Sequence, residues 1–291
     1  MGTEIQTLAF GVVTGSYLIV ATIGFALVAR VEKFLNVAHA ELILGGAFVT
    51  YALTRLGWAL PAAAVTAVLA TALVAAIVAR TIYWPIRRRS QVVLLITSVG
   101  VLFVLNGVIE LATDAGTHSF DVATPALLDF GLFELGAYDL AIVVVAMLTV
   151  LAVHLVLTRT PIGLRWRALA SDEELAEARG VDAGRSSLYL WLLVGALAGL
   201  AGVLLGLQGP VYVDLGFRQI LLILSVAILA GLGSVYGVVV AALLVGIAMD
   251  MSTLILPPGY REAVAFSLVF VVLILRPQGL FGHATARLRG G

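Results

Sequence analysis

Long apolar stretches separated by short polar ones recur along the whole chain. A run of roughly 20 apolar residues is what an α-helix needs to cross the hydrocarbon core of a bilayer. The pattern therefore predicts an all-α, polytopic membrane protein with about eight or nine transmembrane segments in a single domain, residues 1–291. The apolar segments lie at about 8–28, 42–54, 58–79, 91–112, 140–157, 188–207, 219–233, 236–255 and 262–275.

Two of these segments, 42–54 and 219–233, are shorter than a full transmembrane helix. A short segment can be tilted, broken or re-entrant, and broken helices are tolerated in membranes where they are buried in protein or line a cavity. The sequence therefore leaves open whether the protein crosses the membrane eight or nine times.

Charged residues orient the segments. Arginines cluster in 80–90, in 158–187 and in the tail 276–291, so these regions are predicted to be cytoplasmic. The loop 113–139 contains no lysine or arginine and is predicted to be external. Nine alternating segments satisfy these assignments with the N-terminus outside and the C-terminus in the cytoplasm. The acidic residues of the external loop are Asp114, Asp121, Asp129, Glu134 and Asp139.

The amino-acid composition excludes several classes of protein function. Hydrophobic residues make up 62% of the chain and charged residues 12%, against about a quarter charged in soluble domains. The zero net charge gives no indication of nucleic-acid binding, and the absence of cysteine excludes disulfides and thiol catalysis. Because no segment combines a nucleophile, a base and an orienting group, we expect neither an enzyme nor a metal site.

Four glycines in segment 188–207 recur at helical spacing and form one smooth stripe. Small residues let the backbone of a neighbouring helix approach closely in a membrane. We interpret this stripe as a helix-packing seam inside the chain, with a contact to a second subunit as the alternative. The glycines are Gly195, Gly199, Gly202 and Gly206.

The cytoplasmic loop 158–187 carries signals for a short, well-capped helix at about 172–179. Pro161 and Gly163 are predicted to end the preceding helix. Ser171 is a candidate N-cap with Glu174 three residues later, a capping box, and Gly180 suits the position after the last turn. Capping at both ends predicts a rigid element that docks a cytoplasmic partner, rather than a solvated loop.

Polar residues inside apolar segments are candidates for a translocation path, because an acid at a helix centre costs about 2.5–3.5 kcal/mol on insertion scales. Glu110 lies near the outer end of its segment, where its side chain can extend to the interface between membrane and water. For Asp250, the alternative to a role in the path is a structural pair with a residue of another helix. The candidates are Thr97, Ser98, Asn106, Glu110 and Asp250.

Three polar residues precede the short segment 42–54. We interpret Asn36, His39 and Glu41 as a structural turn in which Asn36 caps the helix. A metal site or a proton relay is the alternative, although His39 and Glu41 do not share a helix face.

The chain lacks a nucleotide-binding loop of the G-x-x-x-x-G-K-[ST] type, since its one lysine is Lys33 in the run VEKF. If ATP drives this protein, the ATPase is another chain.

An ordered set of motifs resembles the LivH-type permeases of branched-chain amino acid ABC transporters. Ala40, where a glycine is expected, and Tyr236 depart from that pattern and leave the substrate less certain than the family. The matching runs are 36–47 (NVAHAELILGGA), 96–100 (ITSVG), 158–182 (TRTPIGLRWRALASDEELAEARGVD), 229–246 (LAGLGSVYGVVVAALLVG) and 271–282 (VVLILRPQGLFG).

This resemblance implies a non-catalytic permease subunit in a prokaryotic cytoplasmic membrane. Its partners would be a homologous second permease subunit in a heterodimer, two cytoplasmic ATPases that use ATP-Mg, and an external substrate-binding protein. The chain itself would bind no cofactor. The helix in the cytoplasmic loop would couple to the ATPases through Arg165, Arg167, Asp172, Glu174, Ala176 and Gly180.

Other functions stay open at this stage. The same machinery can carry urea or short-chain amides in related permeases. An H⁺- or Na⁺-coupled secondary transporter would require an essential intramembrane acid such as Asp250 and no ATPase, and a channel would conduct without an energy source.

Overall fold

A computed structural model gives the fold and describes residues 2–113, 116–123 and 125–281. Asp114 in the external loop, and Gly282, Arg287 and Arg289 in the tail, lie outside the described residues. The helices are α1 (Gly2–Val31), α2 (His39–Arg55), α3 (Leu60–Ile86), α4 (Gln91–Ala112), α5 (Ala137–Arg159), α6 (Pro161–Ser171), α7 (Glu173–Ala178), α8 (Ala183–Gln208), α9 (Leu215–Ala230), α10 (Val235–Ser252) and α11 (Pro258–Leu275).

Each predicted apolar segment falls on one of these helices, which confirms the polytopic helical membrane protein. Seven helices in the described ranges are long and apolar enough to cross a bilayer. The two short segments stay short, since α2 has 17 residues and α9 has 16. The number of crossings and the orientation of the termini remain predictions.

The external loop contains one feature that the all-α prediction omits. A short antiparallel hairpin pairs β1 (Leu127–Asp129) with β2 (Glu134–Gly136). A separate bridge between His118 and Val211 ties this loop to the segment after α8. Strands this short carry too few alternating positions to be recognised in the sequence.

The helix α2 begins deep inside the bundle. The Nε2 atom of its first residue, His39, lies 3.0 Å from the carbonyl oxygen of Ala21. Ala21 precedes the end of α1 by ten residues, or about 15 Å of helix, which is about half the thickness of a bilayer core. From there α2 runs to the external loop, where the Tyr51 ring packs on His118 at 4.6 Å.

The helix α9 also begins inside the bundle, close to the start of α2. In its first turn, Gly216 lies against Glu41 of α2, because a Cβ at Gly216 would be 2.5 Å from Glu41 Oε1. One turn later, Gln219 accepts a hydrogen bond of 2.9 Å from the hydroxyl of Tyr17 in α1. The two short helices therefore start at one place within the membrane.

The centre of the bundle is formed by α1 and α8, whose most apolar windows are 83% and 72% buried. The corresponding windows of α4 and α11 are only 22% and 11% buried, and large apolar side chains such as Phe103 and Phe270 project from them. Since these faces are apolar and exposed on helices of transmembrane length, they suit contact with lipid or with another membrane subunit.

The glycine stripe of α8 packs against elements of the same chain. A Cβ at Gly195 would lie 2.6 Å from Thr71 O in α3, and one at Gly202 would lie 2.1 Å from Ile43 O in α2. Gly199 contacts both helices, since it faces α3 and also meets Gly46 of α2. The fourth glycine, Gly206, is covered by the Phe120 ring of the external loop.

Adjacent glycines in α2 provide a test of this seam. A Cβ at Gly46 would lie 2.7 Å from the Cα of Gly199, whereas a Cβ at Gly45 meets nothing within 4 Å. We expect Gly46→Ala to destabilise the protein by about 1–3 kcal/mol through overpacking. Gly45→Ala should stabilise it by about 0.5–1 kcal/mol, because alanine loses less backbone entropy in a helix.

Thermal unfolding of the two purified variants in detergent measures the difference, at about 2–4 °C for each kcal/mol in a chain of this order of size. Equal melting temperatures for the two variants would contradict the backbone contact between α2 and α8.

Candidate functional site

The loop 158–187, which the sequence predicts to be cytoplasmic, forms two helices rather than one. Thr160 caps α6 by accepting a hydrogen bond of 3.2 Å from the backbone N–H of Gly163, and Pro161 is the first helical residue. The preceding helix ends at Arg159, as predicted from Pro161, but the sequence analysis missed that proline is also suitable at the first position of a helix and that Pro161 begins α6. We call α6 and α7 together the loop unit, residues 161–178.

The predicted N-cap of the second helix was also wrong. Ser171 is the last residue of α6, and Asp172 caps α7 by accepting a hydrogen bond of 3.0 Å from the N–H of Leu175. At the other end Gly180 has φ +86°, and the N–H of Val181 donates to the carbonyl of Ala176 at 3.0 Å. This left-handed closure is the one predicted for Gly180.

Charged and aromatic contacts hold the loop unit against the membrane helices. Arg87 follows the end of α3 and pairs with Glu173 at 3.4 Å and Glu177 at 3.1 Å. Its guanidinium also stacks on the Trp84 ring, 3.7 Å from the ring centre. On the other side, the buried Trp166 indole donates a 2.8 Å hydrogen bond to the carbonyl of Ser186 in α8.

The six predicted coupling residues divide by exposure. Arg165, Arg167, Asp172, Glu174 and Gly180 are exposed. Ala176 points inward and packs with Leu169 and Ala183, so it supports the loop unit instead of presenting a contact surface.

Sequence reasoning missed two exposed apolar side chains on the loop unit. Leu164 is 61% exposed and Leu175 is 55% exposed, although both belong to a segment outside the membrane. Leu164 adjoins the exposed Arg165 and Leu175 adjoins the exposed Glu174, so the loop unit presents the mixture of apolar and charged groups typical of a protein contact. The signal in the sequence was present, since both leucines interrupt an otherwise charged stretch.

Of the predicted path residues, Asp250 forms an ion pair at the end of α10. Its carboxylate binds the guanidinium of Arg261 in α11 and accepts a hydrogen bond of 2.6 Å from the Thr14 hydroxyl of α1. Asp250 therefore pairs with another helix, which was the alternative to a role in the translocation path. Its partners Arg261 and Thr14 border a cavity of about 300 Å³ that Gln219 and Arg218 also line.

Three further path candidates on α4 do not meet at a site. Thr97 donates to the carbonyl of Val93 within its own helix, and Glu110 is exposed. Ser98 is buried, and its hydroxyl accepts a hydrogen bond of 3.2 Å from the N–H of Val37. Ser98 therefore fixes α4 to the segment that leads into α2.

Asn106 is the path candidate that meets an acid. Its amide donates to Glu41 Oε2 at 3.3 Å and lies 3.5 Å from the carbonyl of Val213. Glu41 is 1% exposed, and its Oε1 has no hydrogen-bond partner among the described residues. The sequence analysis assigned Glu41 to a structural turn, but an acid directly before an unusually short apolar segment was a usable signal.

The interpretation of Asn36 as a helix cap was wrong. The N-cap of α2 is Ala38, which has no capping side chain, and Asn36 Oδ1 instead accepts a 3.0 Å hydrogen bond from the Tyr83 hydroxyl. Across the ranges 2–113, 116–123 and 125–281, no group of three or more His, Cys, Asp or Glu side chains is arranged to hold a metal ion.

A sequence profile for the permease component of branched-chain amino acid transport systems matches residues 7–274, which is most of the chain. The chain belongs to this permease family. The matched range includes most of α1, all of α2 to α10 with the loop unit, and almost all of α11, so the architecture described above is that of the family domain.

Curated relatives extend over nearly the same length. The chain is 27% identical over 294 residues to the high-affinity branched-chain amino acid transport system permease protein BraD of Pseudomonas aeruginosa, which covers 96% of each chain. It is 28% identical over 299 residues to LivH of Escherichia coli K12, again with 96% of each chain covered.

Two more distant matches concern half of the chain and the fold. The permease protein LivM of Escherichia coli K12 is 29% identical over 150 residues, which is 50% of this chain and 35% of LivM. Among solved structures, PsaBC from Streptococcus pneumoniae in complex with Fab covers 95% of this chain and 92% of that chain with a TM-score of 0.51. At 16% identity this match supports the fold alone.

A partly buried acid joins α1 to α8 close to the loop unit of this permease. Glu32 follows α1 and accepts a 2.6 Å hydrogen bond from the Ser187 hydroxyl of α8. Burial raises the pKa of this carboxyl above its ordinary value of 4.5, the hydrogen bond from Ser187 offsets part of the rise, and the nearby Glu173 carboxylate adds to it. The folded protein therefore binds a proton at Glu32 more readily than the unfolded chain does.

The raised pKa of Glu32 makes the stability of the folded protein depend on pH. Because the folded pKa lies above the unfolded one, the stability from protonated Glu32 is full below about pH 4.5 and is lost as pH rises through the folded pKa. We expect Glu32→Gln to raise the melting temperature at pH 8, by about 2–4 °C for each kcal/mol recovered, and to reduce its dependence on pH.

Melting curves of wild type and variant between pH 5 and pH 8 measure this effect. Glu174→Gln, which changes an exposed acid in the first turn of α7, is the matched control. If the melting temperatures of wild type, Glu32→Gln and Glu174→Gln all change with pH in the same way, the assignment to Glu32 is contradicted.

Proposed function

We propose that this chain is the membrane-spanning permease subunit of an ATP-driven importer for branched-chain amino acids. Its family membership and its relatives BraD and LivH support the permease role and the cargo. The chain has one lysine and no phosphate-binding loop, so ATP-Mg would be used by separate ATPase subunits. The match to LivM supports a second, homologous permease subunit as its partner.

The observation that carries the ATPase coupling is the construction of the loop unit. The unit exposes Leu164, Arg165 and Leu175, while its inner face is anchored by Trp166 and by the pairs of Arg87 with α7. A flexible loop would absorb a displacement, whereas a capped and anchored unit transmits it. The loop unit therefore serves as the element through which ATPase closure moves the permease.

The anchors indicate which helices such a displacement would reach. Arg87 connects the unit to the end of α3, the Trp166 indole connects it to the start of α8, and Glu32 with Ser187 connects α1 to α8. These three helices form much of the packed core. A push on the loop unit would thus act on the core as a rigid body, the kind of motion that alternating access requires.

Under this proposal the protein lies in a prokaryotic cytoplasmic membrane with the loop unit on the cytoplasmic side. The external loop and the segment after α8 would face the substrate-binding protein that delivers the amino acid. The arginine-rich regions around Arg87 and Arg165 support this orientation.

The test is co-purification of ATPase subunits from native membranes at equal permease abundance. We expect Leu164→Asp with Leu175→Asp to reduce the recovered ATPase by roughly tenfold or more, because two contacts at the centre of a docking surface are lost. Ala176 is left unchanged because it is buried, so altering it would damage the loop unit itself.

The matched control is Leu132→Asp in the external hairpin, where the leucine is 67% exposed. It should leave ATPase recovery at the wild-type level. If no ATPase is recovered with wild type, the importer proposal fails. If leucine does not stimulate ATP hydrolysis in the reconstituted complex but urea does, the assignment of the cargo fails.

A further inference from the structure

The short helices α2 and α9 bring their N-termini together inside the membrane. The start of α2 lies about 15 Å from the cytoplasmic end of α1, and the first turn of α9 contacts Glu41. The first N–H groups of a helix have no partner within the helix and carry partial positive charge. In α9 the N-cap residue Asp214 makes no side-chain hydrogen bond to these groups.

Glu41 is directed into this junction without a counter-charge. Its Oε2 accepts one hydrogen bond from the neutral amide of Asn106, and its Oε1 has no partner in the described part of the chain. A buried carboxylate with one neutral partner is costly in a membrane. Asp250, by comparison, is neutralised by Arg261 and receives a second hydrogen bond from Thr14.

The groups at this junction match the two ends of a zwitterion. The free Oε1 of Glu41 can accept from an ammonium group, and the Val213 carbonyl beside Asn106 offers another acceptor. The first turn of α9 provides N–H donors for a carboxylate. A divalent cation fits less well, because no cluster of three or more metal-binding side chains occurs in the described ranges.

We propose that Glu41, Asn106 and the first turn of α9 form a subsite inside the membrane for the charged head of the transported amino acid, with its ammonium group on Glu41. This inference rests on the proposed function and adds the residues that contact the cargo. The apolar side chain of the cargo needs no specific partner, because the surrounding helices are apolar.

The subsite is closed in this structure. Glu41 is 1% exposed, and the half-buried Asn106 of α4 lies against it through the hydrogen bond to Oε2. Access to Glu41 therefore requires α4 to move away from α2 and α9. Such a movement couples the opening of the subsite to a rearrangement of the bundle, as a transported ligand requires.

The first experiment measures the amount of leucine transported per ATP hydrolysed by the complete reconstituted complex with its binding protein. Glu41→Gln retains the shape of the side chain but removes the charge. We expect this ratio to fall by roughly tenfold or more, which corresponds to the loss of one charge-assisted hydrogen bond. Glu110→Gln, an exposed acid on α4, is the matched control and should retain the wild-type ratio.

A wild-type ratio in Glu41→Gln would overturn the subsite while leaving the importer function intact. Failure of the wild-type complex to transport leucine would instead overturn the proposed function. The ratio distinguishes a lost cargo contact from a damaged protein, because general damage lowers transport and ATP hydrolysis together.

A second experiment uses wild-type complex and so does not depend on the folding of a variant. An apolar carbodiimide is applied to the complex during turnover, and mass spectrometry follows its attachment to Glu41 and, as an internal reference, to Glu110. We expect saturating leucine to slow the labelling of Glu41 several-fold without affecting Glu110. Equal labelling of Glu41 with and without leucine would overturn the proposal.

Discussion

Backbone contact between α8 and its neighbours α2 and α3 is the interaction on which the other features depend. In lipid, apolar side chains gain little by leaving the solvent for a helix interface, so close packing has to supply much of the association. Gly199 and Gly202 remove the side chains that would separate the helices, and Gly46 does the same on α2. The contact fixes not only the distance between the helices but also the depth at which α2 sits.

That depth determines the position of Glu41. A full-length helix would place residues 39–41 near the end of the bundle at which α1 ends, where a carboxylate is hydrated at little cost. Because α2 is short and α8 packs on residues 43–47 of α2, the first turn of α2 lies beside Ala21 in the bundle interior. The same helix α8 contacts the loop unit at its cytoplasmic end through Ser186. One rigid helix therefore connects the proposed site of ATPase docking with the proposed site of cargo binding.

The sequence predicted the apolar helices well because hydrophobic length is a strong and local signal. It also identified Gly180, since a left-handed closing residue is a local requirement. It located the helix end before Pro161 but missed that the same proline begins α6, because proline is compatible with both positions. It failed again where the partner is distant in sequence, as for Asn36, which binds Tyr83 instead of capping α2. The inward orientation of Ala176 likewise depends on Leu169 and Ala183, which no helical spacing around Ala176 alone reveals.

Asp250 and Glu41 illustrate why burial alone does not identify a functional acid. Insertion scales assign both residues a similar cost, and Asp250 drew attention in the sequence because it lies inside a long apolar run. In the structure, Arg261 and Thr14 compensate Asp250, so its burial is explained by the fold. Glu41 has one neutral partner, a free oxygen and only the partial positive charge of the helix N-termini beside it, so the fold compensates its burial less. A group whose cost the protein leaves uncompensated is the one that a charged ligand can stabilise, and this difference, rather than depth in the membrane, assigns the cargo contact to Glu41.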